Sequence, residues 1–453
     1  MVEDFFNKKY FEEFFLSHLS FKMGGGRDKI KPIVYWNVYS KEVDSIISKC
    51  LSGNFNFSPY NEHLVSKGSK SLPRVISIPI VRDRWVLGVL NQYLSELFPE
   101  CVNHHTPNSY IKDIQHFIEE HKGKQIQFFK SDFEKFYDNI NQDVLLSKLK
   151  SKIQDIHILD LIRKAIQTPT YSDKKDKKGP NLKGVPQGLA ISNILAAIYM
   201  YDFDRFMESE TADGIYKRYV DDILVFMTSV DGLNSRMTKF NEEQKLELKF
   251  SDSKTVFGDF QGAKVDYIGF IISEQCISPR SKNIDSFLNR LASKCTKFRT
   301  LYEHKHLRPP FIEKDEVLKS YYIEELNMQI SGIKIENHLY GWMPYFQAIT
   351  DLSLLYRIDK IIKKKYLKPF GADVTDKVNS IVTSYYSIIQ HNGKHLTFDY
   401  DAIKSPTQMQ FYLTRRGLLQ PERKYTIRQI ESMFVAHKEK VKRKTQKNIG
   451  YSN

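Results

Sequence analysis

Two aspartates, Asp221 and Asp222, stand side by side in a stretch that is apolar on both flanks, after Ile215 and Tyr216 and before Ile223, Leu224, Val225 and Phe226. The β-branched and aromatic flanks favour extended chain, so Ile215–Phe226 reads as a hairpin with a polar tip. Two carboxylates confined there repel each other and lose hydration, which calls for a compensating cation. Oxygen-only ligands favour a hard ion such as Mg²⁺ or Mn²⁺. A third acid, Asp132, ends Gln125–Asp132, which alternates like a buried strand, 89 positions before Asp221. With the two strands adjacent in one sheet, the three carboxylates converge on a two-metal site. Such a site suits in-line attack of a hydroxyl on phosphorus, one ion activating the nucleophile and the other steadying the leaving pyrophosphate. Taken singly, the paired aspartates also read as a turn signal and Asp132 as a helix N-cap.

Charge points the same way. Lys and Arg number 68 against 54 Asp and Glu, a formal net charge of +14, and a globular chain this basic expects nucleic acid. Hydrophobic residues at 41% and aromatics at 13% exclude a mainly disordered chain, and 453 residues suggest about three domain-sized units. No apolar run approaches the roughly 18 residues that span a bilayer. The acidic start Met1–Phe6 lacks a signal-peptide layout, and Cys50, Cys101, Cys276 and Cys295 form no C-x-x-C pair. These features predict a reducing cytoplasm, with neither a disulfide framework nor a zinc site.

Locally, residues 1–50 read as helical with a break at Gly24-Gly25-Gly26, and Val75–Val81 as a strand feeding a helix from about Arg84 to Leu97. Helices are predicted over Asp143–Ile166 and Leu189–Met207, around a Lys-rich loop at Ser172–Lys183. Leu246–Phe257 and Val265–Ser273 read as two strands. Beyond Arg280 the chain is helical and basic, and Lys438–Lys447 reads as a solvated tail or a phosphate contact.

Several blocks recur in one order. Asp132-Phe133-Glu134-Lys135-Phe136-Tyr137-Asp138-Asn139-Ile140 fits D-x-x-x-F-Y-D-x-I, Gly184–Gly188 contains P-Q-G, and Tyr219–Asp222 is Y-x-D-D. Leu246-x-Leu248 with Ser253-Lys254-Thr255, Tyr267-Ile268-Gly269-Phe270, and Gly341-Trp342-Met343-Pro344-Tyr345-Phe346 follow. Upstream stand Lys67-Gly68, Arg74, Ile78-Pro79 and Asp83-Arg84. Over about residues 55–350 this order resembles bacterial reverse transcriptases of the group II intron and retron lineage.

The resemblance implies an α+β right-hand polymerase with a helical basic C-terminal extension. Its parts would be an N-terminal helical extension (1–53), fingers (54–118), a palm with an antiparallel sheet (119–279, with a fingers insertion around 141–183), a helical thumb (280–375) and the extension (376–453). It implies that Asp132, Asp221, Asp222 and the Phe133 carbonyl hold two Mg²⁺ (or Mn²⁺) ions. Lys254 would protonate the leaving pyrophosphate, an exposed ion-pairing lysine being the alternative. Lys67 and Arg74 would clamp the triphosphate. Gln187 and Gly188 would meet the incoming nucleotide, with Tyr137 as a gate against the ribose 2′-OH or simply a core tyrosine. Tyr219, Val220, Gly269 and Trp342 would lie at the primer–template, and Arg84 would pair with a carboxylate to hold the fingers.

Where the group II pattern has S-Y-G-F-R-P-G-R-S, this chain has His104–Tyr110; Leu87 replaces the usual Gln, and Leu189–Asn193 the usual S-P-L-S-P. These departures lean toward the defence-associated (abortive-infection type) group. The implied function is RNA-directed DNA synthesis on a dedicated structured non-coding RNA, with dNTPs as substrates and cDNA as product. Terminal-transferase-like addition and a non-catalytic maturase-like RNA-binding scaffold are the alternatives.

Overall fold

The computed structural model describes residues 1–20, 24–66, 72–172, 179–420, 422–446 and 449. The chain divides into two compact units, 1–105 with 123–259, and 106–122 with 260–453.

In the first unit, β1 (Tyr60–Val65) pairs antiparallel with β2 (Arg74–Ile78). The second sheet begins with β3 (Gln127–Asp132), and the short β4 (Thr170–Tyr171) runs parallel to β1 in the first sheet. The expected hairpin is β5 (Ile215–Tyr219) and β6 (Asp222–Met227), and β7 (Val256–Asp259) completes the antiparallel order β5-β6-β3-β7. Every residue of β6 is buried, because β5 and β3 flank it and helices cover it. The chief cover is the helix Ser192–Glu210, whose Leu195, Tyr199, Met200, Phe203 and Met207 recur at helical spacing and enter the core with Ile223 and Val225.

At the N-terminus, short helices pack Phe11 and Phe15 at a tilt against Trp85 of the helix Val81–Leu97, whose indole N–H donates to the Phe11 carbonyl at 2.8 Å. Asp83, wholly buried in the first turn of that helix, accepts from the Ser58 N–H at 2.8 Å and pairs with Arg82 at 2.8 Å. Arg84, expected to pair with a carboxylate, instead donates to the carbonyls of Pro79 (2.8 Å) and Gly24 (2.9 Å). The carboxylate beside it is already taken by Arg82.

The second unit holds the helix Pro107–Glu120 and a sheet of three short strands, β8 (Val265–Tyr267), β9 (Phe270–Ile272) and β10 (Ile277–Pro279). The helices Ser281–Glu303 and Asp315–Ser331 follow. A small sheet of β11 (Ile333–Ile335), β12 (His338–Tyr340) and β13 (Phe398–Asp399) then packs near the helices Pro406–Arg415 and Ile427–Gln446. Their shared core includes Ile333, Tyr400, Tyr412 and Phe434.

Three local expectations change. Leu246–Lys249 is not a strand, although Leu246 and Leu248 alternate and are buried, and Phe250 makes an isolated bridge to Phe133. Glu247 takes a left-handed φ of 53°, and the Asn241 side chain supplies both bonds a neighbouring strand would, to the Leu248 carbonyl (2.8 Å) and N–H (3.1 Å). Val265–Ser273 is two strands turning at Ile268 (φ 40°) and Gly269 (φ 89°). Most of Lys438–Lys447 belongs to the helix Ile427–Gln446 rather than a tail, with Lys442 Nζ 4.7 Å from the Tyr340 ring centre; Lys447 lies outside the described residues.

Candidate active site

The pairing of β3 with β6 sets Asp132 directly across from Asp222, and Tyr219 lies across from Asp222 on the other side. Asp132 is 7% and Asp222 3% exposed, so two carboxylates sit in register in a nearly closed part of the sheet. Positive charge meets them there. Lys254 Nζ donates to Asp132 Oδ2, and Lys130 Nζ lies 3.8 Å from Asp222 Oδ1. Among the described residues, no three His, Cys, Asp or Glu side chains are gathered as a metal cage.

The chain crosses from β5 to β6 through Val220 and Asp221 alone, and Val220 adopts φ 61°. Two-residue hairpin loops demand left-handed backbone, which a β-branched residue resists, so the tip stores strain beside the carboxylates. Both tip carbonyls are held: Asp221's accepts from the Phe133 N–H at 3.1 Å, and Val220's from Arg218 Nη1 at 2.7 Å. Phe133 is itself fixed between Phe250 (4.8 Å between ring centres) and Phe203 (5.7 Å).

Tyr137 follows from a left-handed Lys135 (φ 43°) and donates its hydroxyl to Asn193 Oδ1 at 2.8 Å. Burial, and next the negative charge of Asp221, push that phenol up to about 12, with Arg218 and Arg74 pulling the other way. The carboxylate tip, Tyr137 and Arg74 therefore share one electrostatic neighbourhood. Tyr219 is likewise raised, by burial. Arg74 opens β2, with a buried Nε that finds no hydrogen-bond acceptor among the described residues.

The Gln187 carbonyl accepts from the Ser77 N–H at 2.7 Å, tying the P-Q-G turn to β2. Gly188 has φ 101°, and a Cβ there would meet Ile76 Cγ2 at 2.6 Å, so only glycine passes. Beside this turn lies a cavity of about 420 Å³ lined by Ser77, Asp138, Thr170, Lys183 and Gln187 among others. Lys67 lies outside the described residues.

Two expected primer–template residues belong to the second unit. Gly269 sits at the β8–β9 turn, its carbonyl accepting from the Arg280 N–H (2.9 Å) and Asn283 Nδ2 (3.0 Å). Trp342 is 0% exposed, stacked on Phe287 at 4.6 Å, with its indole N–H donating to the Asn283 carbonyl at 3.2 Å. Its role is packing rather than direct contact, because no face of the ring is open.

Sequence reasoning missed Arg218, Asp204 and Asn193. Lys217 stands beside Arg218 and Asp202 two residues before Asp204, so nothing in the sequence singled out this pair.

Residues 65–272 match the family described as Reverse transcriptase (RNA-dependent DNA polymerase). An "Uncharacterized 91 kDa protein in cob intron" of Schizosaccharomyces pombe is 29% identical over 180 residues, 39% of this chain and 22% of that protein. The group II intron-encoded protein LtrA of Lactococcus lactis is 22% identical over 219 residues, 46% of this chain and 36% of LtrA. The chain thus spans between about a fifth and a third of the length of these curated relatives. Among solved structures, apo telomerase from Candida tropicalis aligns with a TM-score of 0.43 at 14% identity, over 88% of this chain and 74% of that one. Residues 65–272 thus form a reverse transcriptase domain with homology to group II intron-encoded proteins.

Proposed function

We propose that this chain is an RNA-directed DNA polymerase, with the β5-β6-β3-β7 sheet as its palm, β1 and β2 in its fingers, and the helices after Arg280 in its thumb. The observation that carries the reading is the register of Asp132 with Asp222, next to a strained tip that presents Asp221. Oxygen donors alone, in a pocket already drawing ammonium groups, fit a pair of Mg²⁺ (or Mn²⁺) ions. Asp132, Asp221, Asp222 and the Phe133 carbonyl would hold them, and when bound they supply charge neutralisation at the phosphorus under attack.

The chain's own residues do the rest. Arg74, its Nε buried without an acceptor among the described residues, neutralises the triphosphate. Tyr137, held by Asn193, closes the space a 2′-OH would occupy. Lys254, already hydrogen-bonded at Asp132, delivers a proton to the departing pyrophosphate. Gln187 and Gly188 bring the turn against the nascent pair. Lys67 joins Arg74 at the triphosphate.

The substrates are dNTPs, the product cDNA, and the template a dedicated structured RNA gripped by the basic C-terminal helices. The departures at Leu87, His104–Tyr110 and Leu189–Asn193 support a defence-associated enzyme over a mobile intron, and the scattered cysteines support a reducing cytoplasm. Sequencing the nucleic acid that co-purifies after incubation with Mg²⁺ and four dNTPs tests this. A discrete RNA with complementary DNA is expected. In Asp221→Ala/Asp222→Ala the DNA disappears, a loss of at least ~10³-fold given the charge stabilisation removed. DNA without a complement in the bound RNA would replace templated synthesis with untemplated addition. Unchanged biological activity of the double variant would leave only the scaffold reading.

A further inference from the structure

The strained Val220–Asp221 tip is held by more than its own hairpin. Arg218, the residue before Tyr219 on β5, turns its guanidinium back along the strand, and Nη1 donates to the Val220 carbonyl at 2.7 Å. The other edge of that guanidinium is occupied by one carboxylate, Asp204 of the helix Ser192–Glu210. Nε donates to Asp204 Oδ1 at 2.6 Å, and Nη2 donates to Oδ2. Tyr216, two residues earlier on the same strand, donates its hydroxyl to that Oδ1 at 2.7 Å. The arginine side chain is 12% and the aspartate 27% exposed, so this fork-to-fork pair is sheltered from solvent.

The same helix reaches the tip by a second path. Phe203, adjacent to Asp204, packs edge-on against Phe133, whose N–H holds the Asp221 carbonyl. The two carbonyls of the loop are therefore each fastened by a group that one buried helix braces. Val220 needs this, since an L residue branched at Cβ does not rest at φ 61° unaided.

We infer that Arg218 is a positioning residue, locked by Asp204 and Tyr216, that keeps the Val220 backbone left-handed and so aims the Asp221 carboxylate. The inference rests on the polymerase reading for its catalytic consequence, but the brace itself is a statement about backbone. Lysine at 218 offers a point charge and no fork, so it cannot span Asp204 and the carbonyl together. Asparagine at 220, a residue at ease in left-handed backbone, makes the brace dispensable.

The test uses the full chain as Arg218→Met, Arg218→Lys, Asp204→Asn, and Arg218→Met combined with Val220→Asn. Amide hydrogen exchange over residues 216–224 reads the brace without relying on catalysis. Exchange there is expected to quicken about tenfold in the three single variants, while the Ser192–Glu210 helix keeps its protection. Val220→Asn in the Arg218→Met background is expected to return the tip most of the way to the parental rate. In primer extension, kcat is expected to fall about tenfold with the dNTP KM within about twofold, and the double variant to recover it. An unchanged tip in Arg218→Met, or faster exchange throughout the first unit without rescue by Val220→Asn, would overturn the inference. If the parental chain incorporates no nucleotide on any RNA or DNA template, the polymerase reading fails, and the exchange result alone decides the brace.

Discussion

Asp83 gives this fold a pH dependence that can be worked out in advance. Its carboxyl is wholly buried, and that burial raises it to about 6 from the usual 3.8, although Arg82 and the Ser58 N–H partly offset the cost. A carboxyl raised in the folded state binds its proton more tightly there than in the unfolded chain. Its contribution is thus fully present below pH 3.8 and is lost as pH rises through about 6. Evaluating both titrations, the stability it supplies is about 2 kcal/mol greater at a pH of about 4.5 than at about 7. The assay is urea unfolding across that range for the parental chain and Asp83→Asn, which cannot ionise. Absolute stabilities will differ because asparagine turns an N–H₂ toward Arg82. The quantity of interest is the difference between the two chains, which should fall by about 2 kcal/mol as pH rises over this range. A difference curve flat to within about 0.5 kcal/mol would show that Asp83 is charged throughout and that Arg82 fully offsets its burial.

Three further outcomes are expected. Tyr137→Ala should raise rNTP relative to dNTP incorporation by about 10²-fold, with Tyr137→Phe near the parental ratio, because the ring rather than its hydroxyl fills the space; single-nucleotide kinetics with both sugars measures this. Lys254→Met should lower kcat by about 10²-fold with RNA binding retained, and a change under about threefold would reduce Lys254 to an ion-pairing partner of Asp132. Trp342→Ala should cost about 3–5 kcal/mol in chemical denaturation, since a fully enclosed indole stacked on Phe287 leaves a cavity that its neighbours only partly fill.

What could be read in the sequence was whatever local chemistry dictates alone. The Ile215–Phe226 hairpin was legible because β-branched residues on both sides of two charges admit little else. The meeting of Asp132 with Asp222 followed once both were placed at strand ends, since a one-residue slip would turn Phe129, Ile223 and Val225 to the opposite face. The Leu246–Leu248 segment was misread because period-two burial is the mark of a strand only when the backbone bonds to another strand. At Leu248 an asparagine side chain supplied those bonds, and pairing with the chain at the end of β3 begins only at Lys249, which no hydrophobic pattern records.

The brace on Val220 was hidden for a different reason. Arg218 and Asp204 lie 14 positions apart, one on a strand and one on a helix, and each alone reads as an ordinary surface charge. Their meaning appears only when the helix is laid on the sheet and the guanidinium is found spanning a carboxylate and a strained carbonyl. Motifs name the groups that touch substrate, since substrate chemistry limits which side chains can serve. Groups that hold those residues in place are constrained only by geometry, and a sequence carries that constraint as two unremarkable charges. Strain locates them: a valine at φ 61° beside the carboxylates is a cost that some contact must offset, and the contact found is Arg218.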